Sequence, residues 1–271
     1  MSVRHPLSGP HSCATRLETT SALPQTGPVK PFLLLATRAE DHAADDEYQA
    51  YLRYCGLDER ELVRVRLEAG PLPPIDLDDY SGVIVGGSPY TSSDPVEEKS
   101  AAQIRVEGEL SRLLDRIVAD DFPFFGACYG VGTLGVHQGA TIDRQFGEPV
   151  GPTRITLTED GEQDPLLKGL PRTFEAFVGH KEACSQLPGH AVLLASSPAC
   201  PVHMFRIKEN LYATQFHPEL DVDGLTTRIT IYKDAGYFPP HQADELIRTA
   251  RQHPVTEPMQ ILRNFAERYA R

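Results

Sequence analysis

Phe124-Phe125-Gly126-Ala127-Cys128-Tyr129-Gly130 is an apolar run that gives way at once to small residues. It reads as a buried strand that passes into a helix through one residue, Cys128. That residue sits in a strained turn, with its side chain held out at the edge of a sheet. Neighbours two positions away must then be small for the chains to pass, and both are glycine. The helix after the turn aims its free N–H groups and its positive dipole end at the thiol, which favours negative charge there. Taken alone, the motif also admits a buried cysteine in a glycine-rich bend.

Outward from this turn, strand and helix patterns alternate. Phe32–Ala36, Leu62–Leu67, Gly82–Val85 and Phe122–Phe125 read as strands. Asp45–Cys55 reads as a helix with Tyr48, Tyr51, Leu52 and Cys55 on one face, closed by Gly56. A longer helix is expected over Pro95–Ala119, with Ile104, Leu110, Leu113, Leu114, Ile117 and Val118 on its apolar side. This rhythm predicts an α/β fold: an open, mostly parallel sheet with helices on both faces and ligands at the carboxyl ends of its strands. Further strands are expected at Arg154–Thr158, Thr173–Val178, Ala191–Ala195, Val202–Ile207 and Leu211–Phe216. Helices are expected near 222–234, 242–252 and 257–270.

Two further strand ends carry chemistry. Gln215-Phe216-His217-Pro218-Glu219 ends the Leu211–Phe216 pattern. Alternate residues of an extended segment point the same way, so His217 and Glu219 project together across a stiff proline. A carboxylate beside an imidazole fixes its tautomer and steadies the imidazolium formed when the ring takes a proton. By itself the pair could be a surface His and Glu after a strand. In a parallel sheet, however, it opens on the same edge as Cys128. Gly82-Val-Ile-Val-Gly86-Gly87-Ser88-Pro89 ends in a turn where a backbone N–H can approach a reacting carbonyl and, with the N–H of Tyr129, form an oxyanion hole.

These motifs, in this order, resemble the class I glutamine amidotransferases, particularly the glutaminase domain of GMP synthase and its standalone relatives. The resemblance covers roughly residues 31–235. It implies a flavodoxin-like sheet, Cys128 as nucleophile, His217 as general base and acid, Glu219 as the orienting carboxylate, and an oxyanion hole from Gly87 and Tyr129. It also implies release of ammonia from glutamine, or a related γ-glutamyl amide, through a cysteine thioester. Two positions depart from the pattern. Gly132 stands where the family places a substrate-binding glutamine, and Gly179-His180-Lys181-Glu182 stands where the family tends to carry Ser-His-Gly-Asp. Gly132, Gly179 and His180 are therefore the candidate substrate-binding positions, and Gly132 is expected to leave room beside the nucleophile. The departures keep open a γ-glutamyl peptide or amide hydrolase that does not act on free glutamine. A degenerate, non-catalytic binding subunit is a second alternative, against which the retained triad argues. A cysteine α/β-hydrolase is disfavoured because there the acid precedes the histidine along the chain.

The remaining features set limits. Nothing after residue 235 resembles an ATP-pyrophosphatase domain, so the expectation is either ammonia transfer to a separate synthetase subunit or simple hydrolysis of a small-molecule amide. The 271 residues carry a net charge of -12, which repels phosphate backbones and disfavours nucleic acid as a partner. The longest apolar run, Phe32–Ala36, is too short to cross a membrane. Five cysteines without C-x-x-C spacing argue against a disulfide framework or zinc site, and for the cytoplasm. No cofactor and no metal is expected. Residues 1–30, rich in Ser, Thr, Pro and Gly, read as a disordered extension, although a transit peptide can have this composition. Residues 31–271 read as the amidotransferase-like domain with its C-terminal helices. The acidic run Glu40, Asp41, Asp45, Asp46, Glu47 reads as a solvated helix N-terminus, and His137 as structural.

Overall fold

Along β1 (Phe32–Ala36), Phe32 and Leu34 enter one hydrophobic core while Leu33 and Leu35 enter another. A strand shows this alternation with both sides apolar when helices cover both faces of its sheet. The structure, a computed structural model, describes residues 1–2 and 29–271, so the expected N-terminal extension lies outside the described residues. After β1 come α1 (Asp41–Cys55), β2 (Leu62–Arg66), β3 (Gly82–Val85), α2 (Ala101–Ala119), β4 (Phe124–Ala127) and α3 (Tyr129–Gln138). The middle of the chain supplies β5 (Thr141–Asp143), β6 (Glu148–Leu157), α4 (Glu159–Gln163), β7 (Thr173–His180), β8 (Ala183–Gln186), β9 (Ala191–Ser196), β10 (Met204–Ile207) and β11 (Leu211–Thr214). Helices α5 (Val222–Ile231), α6 (Ala243–Gln252) and α7 (Met259–Tyr269) follow.

One sheet runs β2-β1-β3-β4-β11-β10-β9-β6-β7, and β5 pairs with β8 separately. From β2 to β11 every neighbouring pair is parallel. This is the strand order of a flavodoxin-like doubly wound sheet. Beyond β11 the pairs are antiparallel. No long helix separates the strands there, so they return as neighbours rather than by crossover. The fold is the expected open α/β sheet, with an antiparallel wing added to its parallel half.

α1 and α7 cover one face, where Tyr51, Leu52, Ile261, Leu262 and Phe265 meet Phe32 and Phe125. α2 and α3 cover the other through Leu110, Leu114, Ile117 and Leu134. α1 ends at Gly56, whose φ of 72° provides the left-handed cap and whose N–H donates to the Leu52 carbonyl. α2 begins at Ala101, six residues later than Pro95, because Ser100 caps it by accepting the Gln103 N–H. Its buried stripe is Val106, Leu110, Leu113, Leu114 and Ile117. Ile104, expected on that face, falls off the spacing and is 46% exposed.

The parallel half fixes the position of the site. β3, β4 and β11 are adjacent, with Val85 opposite Gly126 and Ala127 opposite Thr214. Gly86-Gly87, Cys128 and the segment Gln215–Glu219 therefore leave the sheet side by side at its carboxyl edge.

Candidate active site

Cys128 joins β4 to α3 with φ 52° and ψ -84°, a left-handed conformation that a side chain rarely adopts. Its N–H donates to the Thr214 carbonyl at 2.6 Å, which ties the turn to β11. A methyl group on Gly126 would lie 2.6 Å from the Gly130 Cα, so the strand passes the helix only because residue 126 has no side chain. A methyl on Gly130 meets nothing within 4 Å, so the steric demand falls on one glycine of the pair. Gln215, just past β11, brings its Nε2 to 3.9 Å from the Cys128 sulfur.

The His217 N–H donates to the Phe177 carbonyl on β7, and the imidazole Nδ1 lies 2.8 Å from Glu219 Oε1. Both side chains are buried. Burial alone would lower the His217 pKa, but Glu219 and Cys128 beside it raise it to about 9. Burial would likewise raise Glu219, and His217 and Arg228 instead hold it at about 2. The carboxylate thus favours the protonated ring and steadies the imidazolium when it forms.

Behind the pair stands a chain of charges that sequence reasoning missed. Arg228 on α5 lies 3.4 Å from Glu219 Oε1 and 3.3 Å from Glu47 Oε1, and Arg38, just after β1, donates to Glu47 at 3.0 Å. Glu47 corrects the reading of the acidic run: it is fully buried, whereas Glu40, Asp41 and Asp45 are exposed as expected. Its position carried the signal. Ala43, Glu47 and Tyr51 share one face of α1 at four-residue spacing, so the carboxylate falls on the apolar side and must be paired there. Arg228 lies likewise between the buried Leu225 and Ile229.

Gly86 and Gly87 make room for this arrangement. A methyl at Gly86 would meet Glu47 Oε2 at 2.6 Å, and one at Gly87 would meet His217 Cε1 and Arg38 Nη2, each at 2.7 Å. The ring of Tyr129 is buried edge-on against Tyr90, 6.1 Å away, so it does not gate the site, and the role its position offers is that of its N–H at the first turn of α3. The tyrosine that lines both cavities beside Cys128 is Tyr237, between α5 and α6. Burial, and then Cys128, push its hydroxyl up to about 12.

Two cavities meet at the cysteine, and Ser88, Cys128, Gly179 and Tyr237 line both. The smaller is polar and adds Thr91, Lys181, Glu182 and Gln215. The larger contains His217 and is walled by Val178, Leu225, Ile229, Tyr232 and Phe238, with Arg38 and Arg228 also lining it. Gly132 lines neither. The room expected there is filled, because a methyl at Gly132 would fall 2.2 Å from Ser92 Oγ and 3.1 Å from Glu182 Oε1. Glu182 in turn accepts the N–H groups of Ser92 and Ser93 at 2.8 and 2.7 Å. His180 lines the polar cavity, but both its ring nitrogens are engaged inward, with the Glu182 carbonyl at 2.9 Å and Glu148 Oε2 at 3.0 Å.

Glu148 Oε2 also lies 3.1 Å from His203 Nε2, and with Cys200 these residues bring metal-ligand types within 4.8 Å of one another. The carboxylate is held at about 2: burial would raise it, and the hydrogen bonds to the two histidines lower it. Its partners are those rings. Among the described residues no helix is long and apolar enough to cross a membrane.

The family model for class I glutamine amidotransferases matches residues 50–229, a span containing Cys128, His217 and Glu219. The chain is 29% identical over 146 residues to one subunit of the glutamine-hydrolyzing GMP synthase of Thermoplasma volcanium, covering 54% of this chain and 65% of that one. It is 33% identical over 149 residues to the GMP synthase of Porphyromonas gingivalis, of which it covers 26%. The match thus spans just under two thirds of the first relative and about a quarter of the second. A glutamine amidotransferase from Thermotoga maritima has the same fold, with a TM-score of 0.70 at 20% identity over 89% of this chain and 98% of that one. On the family match, which takes in most of the parallel half of the sheet and the whole strand–turn–helix at Cys128, the chain belongs to the class I glutamine amidotransferases.

Proposed function

We propose that the chain hydrolyses the side-chain amide of glutamine, or of a γ-glutamyl compound, through a thioester on Cys128. The observation that carries this reading is the His217–Glu219 pair, at 2.8 Å, just past the strand beside the strained Cys128 turn. The Cys128 thiol gives its proton to His217 as its sulfur attacks the amide carbon and a C–S bond forms. The N–H groups of Gly87 and Tyr129 carry the negative charge that develops on oxygen, an effect worth about 10²–10³ in rate for one donor. His217 protonates the leaving nitrogen as the C–N bond breaks. Water then attacks the thioester, giving its proton to His217, which returns it to the departing sulfur, so that the acid and the free thiol are released.

Relatives that form one subunit of a GMP synthase support transfer of the ammonia to a separate synthetase subunit. The buried thiols of Cys55, Cys184 and Cys200 support a reducing compartment, the cytoplasm. The test is release of ammonia and glutamate from L-glutamine and γ-glutamyl amides. The reading expects Cys128→Ala and His217→Ala each to lose at least about 10³-fold in kcat/KM. Variants as active as the parent would overturn it.

A further inference from the structure

The larger cavity has room for more than ammonia, and its lining is mostly apolar apart from His217 and the paired Arg38 and Arg228. One molecule the size of water or ammonia needs roughly 10–15 Å³ of space for its centre, and this cavity offers about 60 Å³ and opens to solvent. It is walled by Leu225 and Ile229 from α5 and by Tyr232, Tyr237 and Phe238 from the segment that follows. The smaller cavity has the opposite character, with Ser88, Thr91, Lys181, Glu182 and Gln215 around it.

His217 decides which part of a substrate each cavity receives. A general acid must lie beside the leaving nitrogen. His217 lines the large apolar cavity and does not line the polar one. The amine half of an amide cleaved at Cys128 therefore extends into the apolar cavity. The polar cavity then receives the acyl half, where Lys181 and Glu182 match the carboxylate and ammonium of an amino-acid head. Because Ser88, Cys128, Gly179 and Tyr237 border both spaces, one molecule can occupy the two at once with its amide at the sulfur.

We infer that the preferred substrates are γ-glutamyl amides of bulky apolar amines, aromatic ones included, and that Tyr237 and Phe238 determine this specificity. The inference rests on the amide-hydrolase reading above. The balance is that of a hydrolysis: γ-glutamyl–NHR and water give glutamate and the amine RNH₂, with the C–N bond broken, the amine proton supplied by His217, and no oxidant or co-reactant. The room for a large leaving group lies on the His217 side, away from Gly132.

The experiment compares kcat/KM of the full chain for L-glutamine, γ-L-glutamyl methylamide, γ-L-glutamyl benzylamide and γ-L-glutamyl-p-nitroanilide. One methylene in an apolar pocket is worth about 10–200-fold in discrimination. The two aromatic amides should therefore exceed glutamine by about tenfold or more, with the methylamide between. Phe238→Ala should reduce the ratio of benzylamide to glutamine turnover by about tenfold. Robust glutamine turnover with no gain for the aromatic amides would overturn the inference and leave amide hydrolysis standing. An unchanged ratio in Phe238→Ala would remove the cavity from specificity. Turnover of none of the four would overturn both readings.

Discussion

Cys128 and its neighbours set the strongest demands at the scale of single residues. Cys55, Cys184 and Cys200 are buried, and burial pushes their thiols up to about 12, 11 and 12. Iodoacetamide should therefore label Cys128 ahead of those three, as read by peptide mass mapping. Faster labelling of any of them would contradict the site. His217 has a folded pKa of about 9, above its ordinary value near 6.5. A raised pKa stabilises the fold fully below pH 6.5, and that contribution is lost as pH rises through 9. Activity, which needs the imidazolium as proton donor, should decline on the same alkaline limb. Glu219→Gln removes the largest charge that opposes burial and leaves only Cys128 to do so, so the limb should move to lower pH. A limb that stays near pH 9 in Glu219→Gln would separate the carboxylate from the histidine. Arg228→Met leaves Glu47 and Glu219 buried without their shared cation, and should cost about 3–5 kcal/mol in denaturant unfolding. A loss below 1 kcal/mol would mean that the charge chain relaxes.

At the scale of elements, the nucleophile turn and the two strand ends beside it could be read directly. A strand, a glycine, a cysteine, a glycine and a helix have few ways to fold, and H-P-E after a strand projects two side chains together. The wall behind them was hidden because its members lie far apart in the chain. Arg38, Glu47 and Arg228 come from the end of β1 and from α1 and α5, and only the packing of those elements brings them together. Glu47 was masked by its acidic neighbours, although the helical period placed it with Ala43 and Tyr51. Gly132 misled for the opposite reason: a missing side chain reads as space, but Ser92 and Glu182 fill it from two distant loops. α7 tests the packing of the elements. Phe265 is fully buried and stacks against Phe32 and Phe125 at ring distances of 5.8 and 5.6 Å. Phe265→Ala should cost about 3–5 kcal/mol by chemical denaturation. A cost under 1 kcal/mol would mean that α7 is peripheral to the core.

Over the whole molecule, the parallel half of the sheet was legible from its strand–helix rhythm, while the antiparallel wing was not. β6, β7, β9 and β10 were recognisable as strands, but apolar patterning does not encode their direction, which follows from connections that lack a long crossover helix. The wing matters to the site. β7 anchors the His217 backbone through Phe177 and ends in Gly179-His180, at the mouth of both cavities. The molecule thus brings Gly87, Cys128 and His217 together at three parallel strand ends, and the wing and the segment after α5 line the cavities beside them. The most direct test is to acid-quench the enzyme during turnover of a γ-glutamyl amide and map its peptides by mass spectrometry. The account predicts a γ-glutamyl group on the peptide containing Cys128, absent in Cys128→Ala. An adduct on another cysteine, or hydrolysis that continues in Cys128→Ala, would contradict it.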